Sequence, residues 1–213
     1  WHCKNLFEAT RTSFPAMVQA ASPAAYPLSP VLVRYPAPVL RRRAEPVTVF
    51  DDDLRSFCTR MFAVMDAERG VGLAAPQVGV ARRIFVTDHG RRNDDQVPDP
   101  RVWINPLIET PTGTTSYDEG CLSFPGIYAK VQRHDRFTIR WQDLSGVEQR
   151  MSLDVSAGDF LGIVVQHELD HLNGVMFVDH LTPAQLVLIR KRLRELEDDY
   201  QTATGKRGTP LRR

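Results

Sequence analysis

The sequence predicts an α+β fold: mostly antiparallel sheets packed around a central helix carrying H-E-x-x-H, with an N-terminal helix and a C-terminal helix. Three observations lead there. Apolar residues recur at helical spacing in three separate windows. Five short stretches between the first and second windows read as strands, and Leu144-Ser145-Gly146 reads as a hairpin turn between the last two. The element order is therefore helix, several strands, helix, helix.

The first helix is expected over 51–69. Leu54, Phe57, Met61, Val64 and Met65 form its stripe, Asp51 caps its start and Gly70 ends it. Cys58 lies beside that stripe and is expected in the core. Strands follow at 83–88, 101–109, 127–133, 136–143 and 147–155. Ser156 and Asp159 have capping-box spacing ahead of the central helix. Phe160, Leu161, Val164, Val165, Leu169 and Leu172 mark its buried side, and Asn173-Gly174 closes it. The last helix opens at Thr182-Pro183 with Gln185 completing a cap, and its stripe is Leu186, Ile189, Leu193 and Leu196.

Composition bounds the function. A chain of 213 residues, 42% hydrophobic, suits one domain with tails. A net charge of +1 supplies no global field for nucleic acid or anionic lipid. No apolar run approaches the ~20 residues of a membrane span, so no membrane partner is expected. Cys3, Cys58 and Cys121 are odd in number and far apart, which points to a reducing compartment rather than a disulfide framework. Residues 1–29 are rich in Ala, Pro and Ser, show no period and are expected to be a disordered extension. An upstream-extended start, a fragment or a tag remnant is the plain explanation of that extension, and a trimmed organelle transit peptide the sharper one. The catalytic domain is placed at 30–200, and 201–213 is read as a disordered basic tail.

Chemistry concentrates in the central helix. His167 and His171 are four apart, so both rings leave one helix face at chelating distance, with Glu168 beside them free to act as a base. A catalytic metal site needs a third protein ligand and an open position. The extended protease spacing would require a His where Phe177 stands. On spacing alone the third ligand stays open among Cys121, His180, Glu195 and Glu197. A further segment, "GVGLAAPQVG" over 70–79, fits neither phosphate-binding glycine motif. Its glycines allow close backbone approach, and Gln77 can donate an amide hydrogen bond to a developing oxyanion.

Taken in order, "GVGLAAPQ", "EGCLS" and "QHELDH" resemble the three motifs of the peptide deformylases, and the resemblance covers roughly residues 30–200. It implies an activity, removal of the N-formyl group from formylmethionine on new polypeptides. It also implies a ligand set of Cys121, His167 and His171 around one divalent metal, Fe²⁺ natively, with Zn²⁺, Ni²⁺ or Co²⁺ able to replace it. Glu168 would be the general acid–base. Gln77 and the Leu122 backbone N–H would hold the oxyanion. Gly72 would accept from the substrate amide, Val71, Ile163 and Val164 would line the methionine pocket, and Gly120 would border it. Glu119 is expected to orient a neighbour through backbone or an Arg. Asp170, on another helix face, is expected to bond an Arg or a ligand's free ring nitrogen. His2, His89, His134 and His180 show no partner pattern. The C-terminal helix resembles that of the bacterial type I branch, and "EGCLSFPGIYA" is similar to plastid members. A cytoplasmic location is expected, with plastid or mitochondrion as the alternative. The last helix and basic tail are expected to contact the ribosome near the tunnel exit.

Overall fold

Strand β2 (Ile84–Asp88) shows why the molecule is layered as it is. All five of its residues are buried, and successive side chains of a strand point to opposite faces. Ile84 and Val86 join one apolar cluster with Leu54, Phe57, Met61 and Met65, while Phe85 joins another with Leu161, Val165 and Leu172. A helix therefore covers each face of β2: α1 (Asp52–Ala67) on one side and α2 (Phe160–Leu172) on the other. The computed structural model describes residues 26–92, 97–209 and 211. The expectation for residues 1–29 thus falls almost wholly outside the described residues, as do His2 and Cys3.

The remaining strands are β1 (Gly72–Ala74), β3 (Pro100–Thr112), β4 (Thr115–Cys121), β5 (Phe124–Arg133), β6 (Arg136–Gln142) and β7 (Glu148–Asp154). Five form one antiparallel sheet in the order β1-β2-β3-β6-β7; β4 and β5 form a second, antiparallel pair. The α+β class and the mostly antiparallel pairing are as the sequence predicts. Trp103 lies buried beneath α2 and finds a partner for its indole N–H in Thr87 Oγ1 at 2.9 Å, as a buried Trp must. A third cluster joins α3 (Pro183–Thr204) to β5 through Phe124, Ile127, Val131, Leu193 and Leu196.

Several local expectations hold in detail. Asp51 accepts from Leu54 N at 2.9 Å and caps α1. Thr182 and Gln185 form the reciprocal capping box of α3, with Pro183 in its first turn. Cys58 is in the core and its thiol is pushed up to about 12 by burial.

Others differ. Gly70 does not end α1 by adopting positive φ; Arg69 does so, at 57°. A Cβ on Gly70 would instead lie 2.8 Å from Leu122 Cδ1, so that glycine lets the chain pass the Leu122 side chain. The Ser156–Asp159 capping box is not formed. Ser156 donates to Asp154, and Asp159 accepts from Asp154 N, because Asp154 caps a short 3-10 turn ahead of α2. Strands β1 and β4 went unread, and 115–121 is extended and paired with β5. Residues 201–204, assigned to the tail, continue α3, and Thr209 N donates to Pro36 O at 2.8 Å.

Candidate metal centre and active site

Three segments distant in sequence meet between α2, the short strand β1 and the end of β4. Helix α2 presents His167 and His171 on one side, their ring centroids 5.1 Å apart. The β4–β5 register shifts at Gly120/Cys121. Such an irregularity re-aims a side chain, and here the Cys121 Sγ stands 3.3 Å from His171 Nε2. One donor atom from each of Cys121, His167 and His171 lies within 4.8 Å of the others. The other ligand candidates are engaged elsewhere: Glu197 accepts from the Tyr35 hydroxyl, Glu195 pairs with Arg192, and His180 bonds Asp170.

Glu168 is fully enclosed, and its Oε2 has no hydrogen-bond partner among the described residues. Burial raises its pKa to about 7, opposed chiefly by His167. A carboxylate with that poise and one uncommitted oxygen suits proton transfer near neutral pH. Gly72 stands against it: an added Cβ would lie 2.5 Å from Glu168 Oε1. Only glycine lets the β1 backbone come this close.

Gln77 is buried in the 3-10 turn after β1. Its Oε1 accepts from Ala74 N at 2.8 Å, which fixes the amide orientation and aims Nε2 toward Cys121 Sγ and Ser123 Oγ at 3.5 and 3.4 Å. Ser123 Oγ donates to Val33 O, while Val33 N donates to Gln77 O. The chain around residue 33 therefore straps the donor loop to the Cys121 turn.

Behind the ligands runs a chain of charges. His167 Nδ1 bonds Glu119 Oε2 at 2.9 Å, which leaves its Nε2 as the donor facing the cluster. Glu119 takes two bonds from Arg133, at 2.6 and 2.8 Å, in bidentate geometry. Arg133 also binds Asp170 at 2.6 Å, and Asp170 bonds His180 at 2.7 Å. Glu119 and Arg133 side chains are only 3% and 4% exposed. Burial alone would raise the Glu119 pKa, but Arg133 and His167 hold it at about 2. Asp170 is likewise held at about 2 against burial by His180 and Arg133. For His167, burial disfavours the charged form, yet bonds to Cys121 and Glu119 keep its pKa well above the usual value. His171 is pushed down to about 3, first by burial and then by His167, so its ring is neutral at physiological pH.

The arrangement has room for a substrate. A cavity of about 460 Å³ is lined by Gly72, Gln77, Cys121, Leu122, His167 and Glu168 on its polar floor. Val71, Gly120, Ile163 and Val164 also line it, with Phe124 and Ile127. The expected metal ligands, acid–base, oxyanion and substrate-binding residues thus border one cavity, except His171, which is buried beside Cys121, while Asp170 lies outside it. Sequence reasoning missed Arg133 and Ser123. Arg133 left a signal, a charge that falls on the same strand face as Ile127 and Val131 in "IYAKVQR"; Ser123 left none. His180 was read as partnerless and is not: Asp170 holds it.

The residues present fit a metal ion on chemical grounds. One sulfur and two imidazole nitrogens converge, two of them at nearly the separation of about 3.6 Å expected for neighbouring ligands of a tetrahedral ion. Three protein ligands leave one position open. Glu119 accepts from the ring nitrogen that would not bind the ion, the usual way of orienting a ligating His.

Comparison with known proteins agrees with this geometry. The family described as Polypeptide deformylase matches residues 30–186. A peptide deformylase of Thermotoga petrophila is 42% identical over 160 residues, covering 75% of this chain and 91% of that protein. The chloroplastic peptide deformylase 1B of Oryza sativa subsp. japonica is 40% identical over 178 residues, covering 82% of this chain and 63% of that protein. A plant peptide deformylase crystal structure superposes with a TM-score of 0.80 at 36% identity, covering 88% of this chain and 98% of that one. The Plasmodium falciparum enzyme superposes with a TM-score of 0.75 at 37% identity, covering 83% and 100%.

Proposed function

Because this chain belongs to the polypeptide deformylase family, we propose how its residues divide the reaction of that family, hydrolytic removal of the N-formyl group from the formylmethionine of newly made polypeptides. The chain is a metal-dependent hydrolase of that class, and formate is the released product. The observation that carries the division of roles is the placement of a buried Glu168, with one carboxylate oxygen free among the described residues, beside the Cys121–His167–His171 cluster on the floor of one cavity.

Cys121, His167 and His171 would hold the ion. Bound there, a divalent ion would polarise the formyl carbonyl and acidify water toward neutrality. Glu168 takes the proton from the attacking water and delivers it to the leaving amine. The Gln77 amide N–H and the Leu122 backbone N–H stabilise the oxyanion as charge develops. The Gly72 carbonyl accepts from the substrate amide. Val71, Ile163 and Val164 enclose the methionine side chain, and Gly120 leaves the rim open. A flexible thioether fits a pocket of such irregular aliphatic shape. Glu119 and Arg133 hold His167 in place.

Fe²⁺ is our reading of the native ion. The soft thiolate together with two imidazoles supports an ion of borderline softness, and Zn²⁺, Ni²⁺ and Co²⁺ fit the same donors. The substrates are N-formylmethionyl nascent peptides. α3 and the basic residues after it are the surface we assign to the ribosome near the tunnel exit. A cytoplasmic location is supported by the Thermotoga relatives and the plastid alternative by the chloroplastic rice relative. No helix among the described residues is long and apolar enough to cross a membrane.

The zinc peptidase reading is the competitor, and it needs a carboxylate or a third His where the cluster has Cys121. Turnover of formyl-Met-Ala, acetyl-Met-Ala and unblocked Met-Ala by anaerobically purified protein separates the two. Formate release from the first alone is expected; cleavage of the Met-Ala bond would sink the deformylase reading. Metal analysis of the same preparation tests the iron assignment, which fails if zinc alone is found.

A further inference from the structure

A second cavity adjoins the catalytic one. It measures about 540 Å³ and lies between residues 31–35 and the C-terminal half of α3, with Val31, Leu32, Leu196, Tyr200 and Ala203 on its walls. Arg34, Glu68 and Pro125 line both cavities, so the two share a rim. We infer that this groove binds the substrate polypeptide itself, as an extended segment downstream of formylmethionine. The inference rests on the deformylase reading and extends it from the reacting end of the substrate to its downstream sequence.

The direction of the chain follows from the cavity wall. Glu68, Arg69, Gly70, Val71 and Gly72 line the catalytic cavity in unbroken succession. Gly72 is the reacting end, since Glu168 stands against it. Glu68 is the far end, where the second cavity opens. β1 begins at Gly72 and is the outermost strand of its sheet, so an added extended chain can lie beside this wall. The wall turns as it goes, since Glu68 caps the end of α1, Arg69 has φ 57° and β1 begins only at Gly72. A substrate that leaves Gly72 along this wall meets the groove at Glu68.

The groove is built rather than incidental. Tyr35 OH donates to Glu197 Oε1 at 2.5 Å, and Arg192 Nε donates to Pro125 O at 3.1 Å, which fixes α3 against both the residue-35 segment and the catalytic rim. Val33 N to Gln77 O at 2.7 Å and Tyr35 N to Ser123 O at 2.9 Å tie the opposite wall to the active-site loops. A preformed groove spares the substrate the cost of ordering its receptor. Its walls are largely aliphatic and aromatic, which suits apolar side chains of an extended segment. Arg34 and Glu68 at the junction offer one charge of each sign.

The test is a series of formyl-Met peptides of two, three, five and eight residues, each ending in the same apolar sequence, with full-length protein. The wild type should gain at least about tenfold in kcat/KM between three and eight residues, the factor that about 1.4 kcal/mol of contact supplies. The gain should lie in KM. Val31→Asp and Ala203→Trp, both at exposed positions, should abolish the gain while formyl-Met-Ala, too short to reach the groove, is turned over as before. A flat series with an active wild type overturns the groove inference alone. So do variants that keep the gain, and so do variants that improve long-peptide turnover, which would place the chain's own residues 1–25 or a second copy in the groove. Absence of formyl-Met-Ala turnover would overturn the deformylase reading, and with it the inference.

Discussion

Glu168 is separated from its neighbours His167 and His171 in role by geometry, because one of its oxygens is committed to nothing among the described residues. Glu168→Ala should keep bound metal near wild-type stoichiometry while turnover falls by at least ~10², the lower range for an acid–base group. Loss of metal along with activity would make Glu168 a ligand. Arg133 acts at a distance. It is the shared partner of two buried carboxylates whose folded pKa values are about 2, against ordinary values of 4.5 for Glu119 and 3.8 for Asp170. Depressed values of this kind contribute stability that is present above the unfolded pKa and lost as pH falls toward the folded one. The stability these two carboxylates supply to metal-free protein should fade only below about pH 4.5, whereas His171, held neutral down to about 3 against an ordinary 6.5, adds a loss that begins below about pH 6.5. Arg133→Met leaves two acids without their cation, which costs about 3–5 kcal/mol for a broken buried pair. Its acid unfolding, followed by near-UV circular dichroism, should move to higher pH. An unmoved transition would remove Arg133 from the ledger of stability. His167, Glu168 and His171 were legible because one helix carries them at chemically meaningful spacing. Glu119, Arg133, Asp170 and His180 come from β4, β5, α2 and the turn after α2, and no local spacing could announce a chain assembled by tertiary contact.

Among the elements, those whose stability is local were the readable ones. α3 declares itself through Thr182, Pro183 and Gln185, whose bonds are all formed within one turn. Thr182→Ala should lower stability by about 1 kcal/mol, the usual worth of such a cap. Denaturant unfolding would measure it, and a change near zero would show that α3 is held by packing alone. β4 was not readable. Its burial alternates only weakly and it carries Asp118 and Glu119. It exists because β5 pairs with it from Thr115 to Cys121. β1 is three residues long and owes its place to β2 and α2. The Ser156–Asp159 cap failed for a related reason. Asp154 offers a competing acceptor nearby, and a capping motif cannot reveal which of several acceptors wins.

At the level of the whole molecule, Cys121 is what distinguishes this cluster from the donor sets of typical zinc peptidases. Cys121→Ser should lose or greatly weaken metal, since a hydroxyl is a poor ligand for a borderline-soft ion. Wild-type iron enzyme should lose activity in air through oxidation of metal and sulfur, and nickel substitution should slow that loss. Metal content and formyl-Met-Ala turnover, with and without oxygen, check both. A Cys121→Ser protein with full metal and full activity would reopen the identity of the third ligand. The site's components are also spread along the chain: Gln77 precedes His171 by roughly ninety residues, and α3 follows both. Synthesis at ~5–20 residues per second places the last ligand some ~5–20 seconds after the oxyanion donor. A copy made only as far as Gln77 thus lacks every one of these ligands, and each molecule becomes competent only after α3 has been made. In a synchronised cell-free synthesis, activity should trail the appearance of chains that include α3 and never precede it. Any deformylation needed while the first copies are being made falls to molecules completed earlier, so the catalyst has to be inherited before it can be renewed.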